Sequence, residues 1–229
     1  DESRLKELRA APVPTGERLQ VEGEKAPAVE FAGLRGGRGL VSDQVGLVLP
    51  TSLCSGQIAQ MIAARLNAEG FGREKGISRF VALVHTEGCG VAGAEAEALY
   101  ARSMLSYLTH PLVRCAVLLE HGCEKTHNDY MRNQLAERGL QADDFGWASV
   151  QLDGGIDKAG EKVVDWFEHR LAAIEPALPE SAGLQALRVG LLASGPLSKD
   201  AAVALARLTR WLVGAGATVV VPEGGALLD

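Results

Sequence analysis

Long apolar runs are missing from this chain. No stretch approaches the roughly 20 residues that span a bilayer, and no charged-then-apolar leader opens it. Runs of lysine or arginine are also missing, and the formal net charge is −6 with a pI of about 5.5. A nucleic-acid partner normally requires a basic patch, so none is expected. Four cysteines among 229 residues are too few for a disulfide scaffold. No GxGxxG follows a strand pattern, and no CxxC pair occurs. The expectation is a cytoplasmic protein with neither membrane nor nucleic-acid contacts, while association into a homo-oligomer stays open. The chain opens on Asp1 rather than Met and stops at Asp229 just after an apolar run, which reads as a fragment of a longer protein.

What the chain does contain is an alternation of short apolar runs with helical periods. Hydrophobic content is 47%, enough for a substantial core. Residues 1–43 are poorly patterned, with Pro12, Pro14, Pro27 and the glycine-rich GLRGGRG, and read as an arm or linker. From residue 44 to 173 the pattern predicts strands at Val45–Leu49, Phe80–Val84, Cys115–Leu119 and Ala148–Leu152. Between and after them it predicts helices at Gln57–Ala68, Ala94–Leu108, Asp129–Arg138 and Asp157–Ala173. Residues 174–186 read as a linker. Residues 187–229 predict a further β-α-β unit: a strand at Leu187–Leu192, a helix at Ser198–Val213 capped by Ser198, and a strand at Thr218–Val221. Strands alternating with helices imply an α/β fold, a parallel sheet with helices on both faces in Rossmann-like layering, plus that C-terminal unit.

In such a sheet the loops after the strands open on one edge, where ligands bind. Those loops are PTSLCSG, HTEGCG, EHGCEKTHND and DGG. Ser52, Ser55, Thr86, Asn128 and Asp129 could face a substrate there. Cys54, Cys89 and Cys123 each follow a strand, two of them flanked by glycine. They can be read as ligands for iron or an iron–sulfur cluster, or as reduced thiols in tight turns. Cys115, inside an apolar strand, reads as core. Glu87 and Glu124 are either metal ligands or charges at helix starts. His85, His121 and His127 suit proton transfer near neutral pH. Lys125 could be a base or could hold a carboxylate. Thr126 reads as the N-cap of the helix that follows it.

The strings LPTSLCSGQIA, ALVHTEGCG and LLEHGCEKTHNDY, closely over Val45 to Tyr130 and more loosely through LRVGLLASGPLS to VVVPE, resemble the altronate/galactarate dehydratase family. The resemblance implies loss of water from a sugar acid to give a 2-keto-3-deoxy acid, with a divalent metal, typically iron. It places Cys54, His85, Glu87, Cys89, His121, Cys123, Glu124, Lys125 and His127 on family motif positions. Relatives acting on altronate carry a GxxRxDGRxGTRN-like segment where this chain has FAGLRGGRGLVSDQVGL, so the resemblance does not name the sugar acid. The expected chemistry is a metal-assisted β-elimination with His121 or His127 as base and Lys125 or the metal on the carboxylate. The competing readings are a non-catalytic sugar-acid-binding module and a hydrolase using Cys89 with His85.

Overall fold

In the computed structural model, residues 29–36, 39–87, 93–193 and 195–221 are described. The chain divides into two compact units, one spanning Ala32–Glu180 and the other formed by the described residues before Ala32 and after Glu180.

The larger unit is built on four parallel strands: β3 (Val45–Pro50), β4 (Arg79–Ala82), β5 (Val113–Glu120) and β6 (Gly146–Ser149). Their spatial order is β4-β3-β5-β6, all neighbours parallel. Four helices join and flank them: α1 (Leu53–Ala68), α2 (Ala94–Leu108), α3 (Asn128–Ala136) and α4 (Ile156–Ala172).

The apolar runs are continuous because both faces of the sheet are covered. Side chains alternate along each strand, and so they sort into two cores. Val48, Val117 and Leu119 point to the side of α1 and α4, with Ile62, Leu66, Val163 and Phe167. Leu47, Leu49, Ala116 and Leu118 point to the side of α2 and α3, with Tyr100, Met104, Met131 and Leu135. Cys115 belongs to the first core and is buried, and burial pushes its thiol up to about 12.

Strand β4 is shorter than the expected Phe80–Val84, and β6 lies earlier than Ala148–Leu152. At β6 the cause is local. Asp153 accepts from Ser149 N at 2.7 Å, and its own N–H donates to Ser149 O at 2.9 Å, so the chain turns there. Helix α1 begins at Leu53, four residues before the expected start, so Cys54 and Ser55 lie in its first turn rather than in a loop.

The segments expected as linkers carry structure of their own. Residues 30–41 hold β1 (Glu30–Gly36) and β2 (Gly39–Val41), an antiparallel pair. Residues 174–186 hold β7 (Pro179–Gly183) and a 3-10 turn at Leu184–Ala186. Order β2-β1-β7 makes a three-stranded sheet. Short polar strands such as PESAG lack an apolar period, and pairing rather than patterning defines them.

In the smaller unit β8 (Arg188–Gly190) pairs in parallel with β9 (Thr218–Val220), joined by α5 (Lys199–Gly214). Ser198 caps α5, its hydroxyl accepting from Ala201 N at 3.3 Å, as its position before the periodic stretch predicts. No helix among the described residues is long and apolar enough to cross a membrane.

Candidate active site

From β3 the chain passes to β4 on one side of the sheet, then returns to β5 on the other side of β3. This is a topological switch point, and a crevice forms outside the carboxyl ends of the two diverging strands. The loops that meet there are Thr51-Ser52 after β3 and His121–Thr126 after β5.

Glu124 joins them. Its carboxylate is buried, at 3% exposure. Oε1 accepts from Thr51 Oγ1 at 2.7 Å, Ser52 Oγ at 3.0 Å and His121 N at 2.9 Å, and Oε2 accepts from Gly122 N at 2.7 Å. Burial alone would push this carboxyl up. Hydrogen bonds from its own N–H, from Thr51 and from the His121 and Gly122 N–H groups outweigh that and hold it at about 2. The charge is therefore fixed in place by donors alone. Gly122 has φ +115, which favours glycine, and a Cβ there would press on Gln151.

His121, Cys123 and Glu124 offer an imidazole nitrogen, a thiol and a carboxylate oxygen within 4.8 Å of one another. His121 Nδ1 lies 3.4 Å from Cys123 Sγ. The donor chemistry fits a divalent transition metal: thiolate and imidazole favour iron or zinc over magnesium or calcium, and the carboxylate is already ionised. His121, expected as a base, thus stands among the potential ligands. Cys54 is exposed in the first turn of α1 and is not in this group. Cys89 lies outside the described residues.

The remaining candidates divide into buried supports and exposed groups. Ser52 and Ser55 are fully buried, with Ser55 Oγ donating to Ser52 O at 3.2 Å. Asn128 is buried, its N–H donating to the Glu120 carboxylate and its Nδ2 to Ala148 O at 3.0 Å. Lys125 is exposed and ion-paired with Glu97 at 3.6 Å. Asp129 is exposed and paired with Arg132 at 2.8 Å. Thr86 and Glu87 are exposed, and the Glu87 carbonyl accepts from Leu53 N at 2.6 Å, closing the first turn of α1. His85 Nε2 lies 3.0 Å from Pro50 O, its ring stands edge-on to Tyr100, and its Nδ1 is buried with no partner among the described residues.

The N-cap of α3 is His127 and not Thr126. The His127 ring accepts from Asp129 N at 3.2 Å and Tyr130 N at 3.4 Å. Thr126 is buried one residue earlier and donates to Thr51 O at 3.3 Å.

Three residues that organise the site carried no mark in the sequence reading: Thr51, Glu120 and Tyr100. Tyr100 OH donates to Thr51 O at 2.7 Å, which anchors α2 to the loop after β3. The available signal was a polar residue closing an apolar strand, as Glu120 does for CAVLL and Thr51 for VGLVLP.

Two cavities are lined by other candidate residues, and neither is lined by His121, Cys123 or Glu124. One of about 550 Å³ has mainly apolar walls and includes His85, Glu87 and Tyr100. The other, about 220 Å³, is lined by Glu120, Asn128, Asp129, Arg132, Trp147 and Lys162, among others.

The family model described as D-galactarate dehydratase/Altronate hydrolase, second domain, matches residues 45–175, more than half of the chain. The chain belongs to this family. The match begins with β3 and runs just past α4, so the dehydratase-family domain contains the whole four-stranded sheet and every loop of the switch point. The chain is also similar to Ribonuclease 3 from Pseudoalteromonas translucida (strain TAC 125), at 33% identity over 99 residues, covering 36% of this chain and 44% of that protein. This chain thus spans less than half the length of that relative, and the likeness carries no statement about the dehydratase-family domain.

Proposed function

We propose that this chain is the part of a sugar-acid dehydratase that carries its cation site and part of its acid–base machinery, acting on an aldonate or aldarate such as altronate or galactarate. The observation that supports it is the His121, Cys123 and Glu124 group at the switch point of a family-matched sheet. The reaction is a β-elimination. A base takes the proton on the carbon next to the carboxylate, and the C–H electron pair moves into an enediolate. The β C–O bond then breaks, hydroxide leaves with a proton as water, and the enol becomes the 2-keto-3-deoxy acid.

His121 and Cys123, with Glu124 beneath them, would hold one divalent ion, for which iron is proposed. The bound ion would supply positive charge against the developing anion. A single thiol in the described group favours a lone ion over a cluster. Glu124 keeps the loops after β3 and β5 together, so the crevice is formed before substrate arrives. Lys125, on the same loop, is placed to meet a carboxylate once it leaves Glu97.

The test is turnover by the full-length protein, purified anaerobically, on a panel of aldonates and aldarates with and without iron. Formation of a 2-keto-3-deoxy acid that depends on the metal is expected. Iron-loaded protein that converts no member of the panel would sink the reading.

A further inference from the structure

We propose that the cavity of about 220 Å³ at the carboxyl ends of β5 and β6 is a binding site for vicinal hydroxyl groups, taking a small polyhydroxylated molecule through Glu120, Asn128 and Ser149. The site is separate from the His121, Cys123 and Glu124 group, and it does not rest on the dehydratase reading.

The observation that points to a ligand is a buried acceptor with nothing to accept. Asn128 forms part of the cavity wall and is 6% exposed. Its Nδ2 donates to Ala148 O at 3.0 Å. That carbonyl fixes which end of the amide is which, because a flipped amide would set oxygen against oxygen. Oδ1 is then buried with no hydrogen-bond partner among the described residues. Buried polar groups are nearly always paired, and leaving one unpaired is costly.

Two further buried polar groups line the same cavity, Glu120 and Ser149, each 4% exposed. Glu120 Oε2 accepts from Asn128 N. A carboxylate has about four lone-pair sites, so it retains acceptor capacity. The cations of the cavity are paired with other carboxylates, Arg132 with Asp129 at 2.8 Å and Lys162 with Asp153 at 2.7 Å. Ser149 Oγ accepts from Leu152 N at 3.3 Å, which leaves its hydroxyl proton to be donated.

These groups select among ligand chemistries. One water does not fill the space, since its share of liquid volume is roughly 30 Å³. The volume is also below the roughly 300–1,000 Å³ of drug-sized sites, so the ligand is small. A metal ion does not suit it. Glu120, Asp129 and Asp153 do not converge as a ligand group among the described residues, and Arg132 and Lys162 repel a cation. The same two charges disfavour an ammonium group. A bare carboxylate would meet Glu120 and Asn128 Oδ1, both acceptors, with no proton to give. A hydroxyl both donates and accepts. One hydroxyl can donate to Asn128 Oδ1 and its neighbour to Glu120, while either accepts from Ser149. Trp147, with Arg132 4.4 Å over its ring, adds apolar wall for the carbon skeleton.

Three probes test this by calorimetric titration of the full-length protein. Galactitol carries hydroxyls without carboxylates, galactarate carries both, and adipate has the carboxylates of galactarate with no hydroxyls. We expect saturable binding of galactitol and galactarate, and binding of adipate about tenfold weaker or more. Glu120→Gln keeps a carbonyl to accept from Asn128 N but replaces the charge and one acceptor with an amide. It should weaken galactitol about tenfold or more. Cys123→Ser should leave galactitol binding unchanged. In nitrogen-15 spectra of the labelled parent, galactitol should shift the Asn128 side-chain amide and the Trp147 indole, which places the ligand even if Glu120→Gln does not fold. No saturable binding of the hydroxylated probes, adipate as tight as galactarate, or parental affinity in folded Glu120→Gln would overturn the proposal. So would loss of galactitol binding in Cys123→Ser, or unmoved Asn128 and Trp147 signals when galactitol binds. Failure of the protein to convert any sugar acid sinks the dehydratase reading and leaves these binding results standing.

Discussion

Glu124 is a buried anion whose burial is offset by four donors, two from its own loop and two, Thr51 and Ser52, that lie 73 and 72 positions before it in sequence. Its folded value is about 2 against an ordinary 4.5. A depressed carboxyl contributes stability that is fully present above the unfolded value and is lost as pH falls toward the folded one. The window here is therefore from about 4.5 down to about 2, with a contribution on the order of 3 kcal/mol. Glu124→Gln should be less stable than the parent at pH 7, and the gap should narrow through that window. Urea titrations of both proteins across the range measure it; a gap that stays constant would show that the charge contributes nothing. Cys123 behaves differently because it is exposed. Cys123→Ser should leave the metal-free protein's melting temperature within a few degrees, as for ordinary surface sites. It should lower bound iron sharply, since a hydroxyl replaces a soft ligand. Iron analysis after anaerobic purification decides this, and unchanged iron would remove Cys123 from the ligand set.

At the scale of elements, the loops are held at the switch point by helices clamped to the sheet. Phe167 of α4 is fully buried, edge-on to Phe80 of β4 at 4.9 Å between ring centroids and beside Trp166 at 5.3 Å. Phe80 in turn lies over Gly46 of β3, where any Cβ would enter the space of its ring. This stack couples α4, β4 and β3 through one aromatic column. Phe167→Ala should cost about 3–5 kcal/mol, because neighbours fixed on both sides cannot collapse into the space. Denaturant unfolding gives the number, and a loss under about 1 kcal/mol would mean that the column relaxes freely.

For the whole molecule, every residue of both buried clusters lies in the larger unit, between Leu47 and Leu171. A chain segment with its own core can fold by itself. Residues 32–180 expressed alone are expected to unfold cooperatively, with coincident transitions by far-ultraviolet circular dichroism and tryptophan fluorescence. Non-coincident or featureless transitions would show that this unit depends on the rest of the chain.

Local pattern was enough for most elements. Helix α2 runs Ala94–Leu108, the span that its apolar spacing predicts, and Ser198 caps α5 as its place before a periodic stretch implies. Those features depend on near neighbours, through turn periodicity and capping bonds, and near neighbours are what a sequence displays. The strings around Glu87 and Glu124 were likewise legible as loops after strands. The amino-acid order by itself thus determined the alternation of strands and helices and the loops that carry polar groups. Only the tertiary structure decided the order β4-β3-β5-β6, the meeting of Glu124 with Thr51 and Ser52, and the commitment of His127 Nδ1 to α3. Strand order follows from packing helices onto both faces at once. A hydrogen bond is short-ranged and directional, so a side chain's partner, and with it the side chain's chemistry, exists only once the backbone has brought the two together.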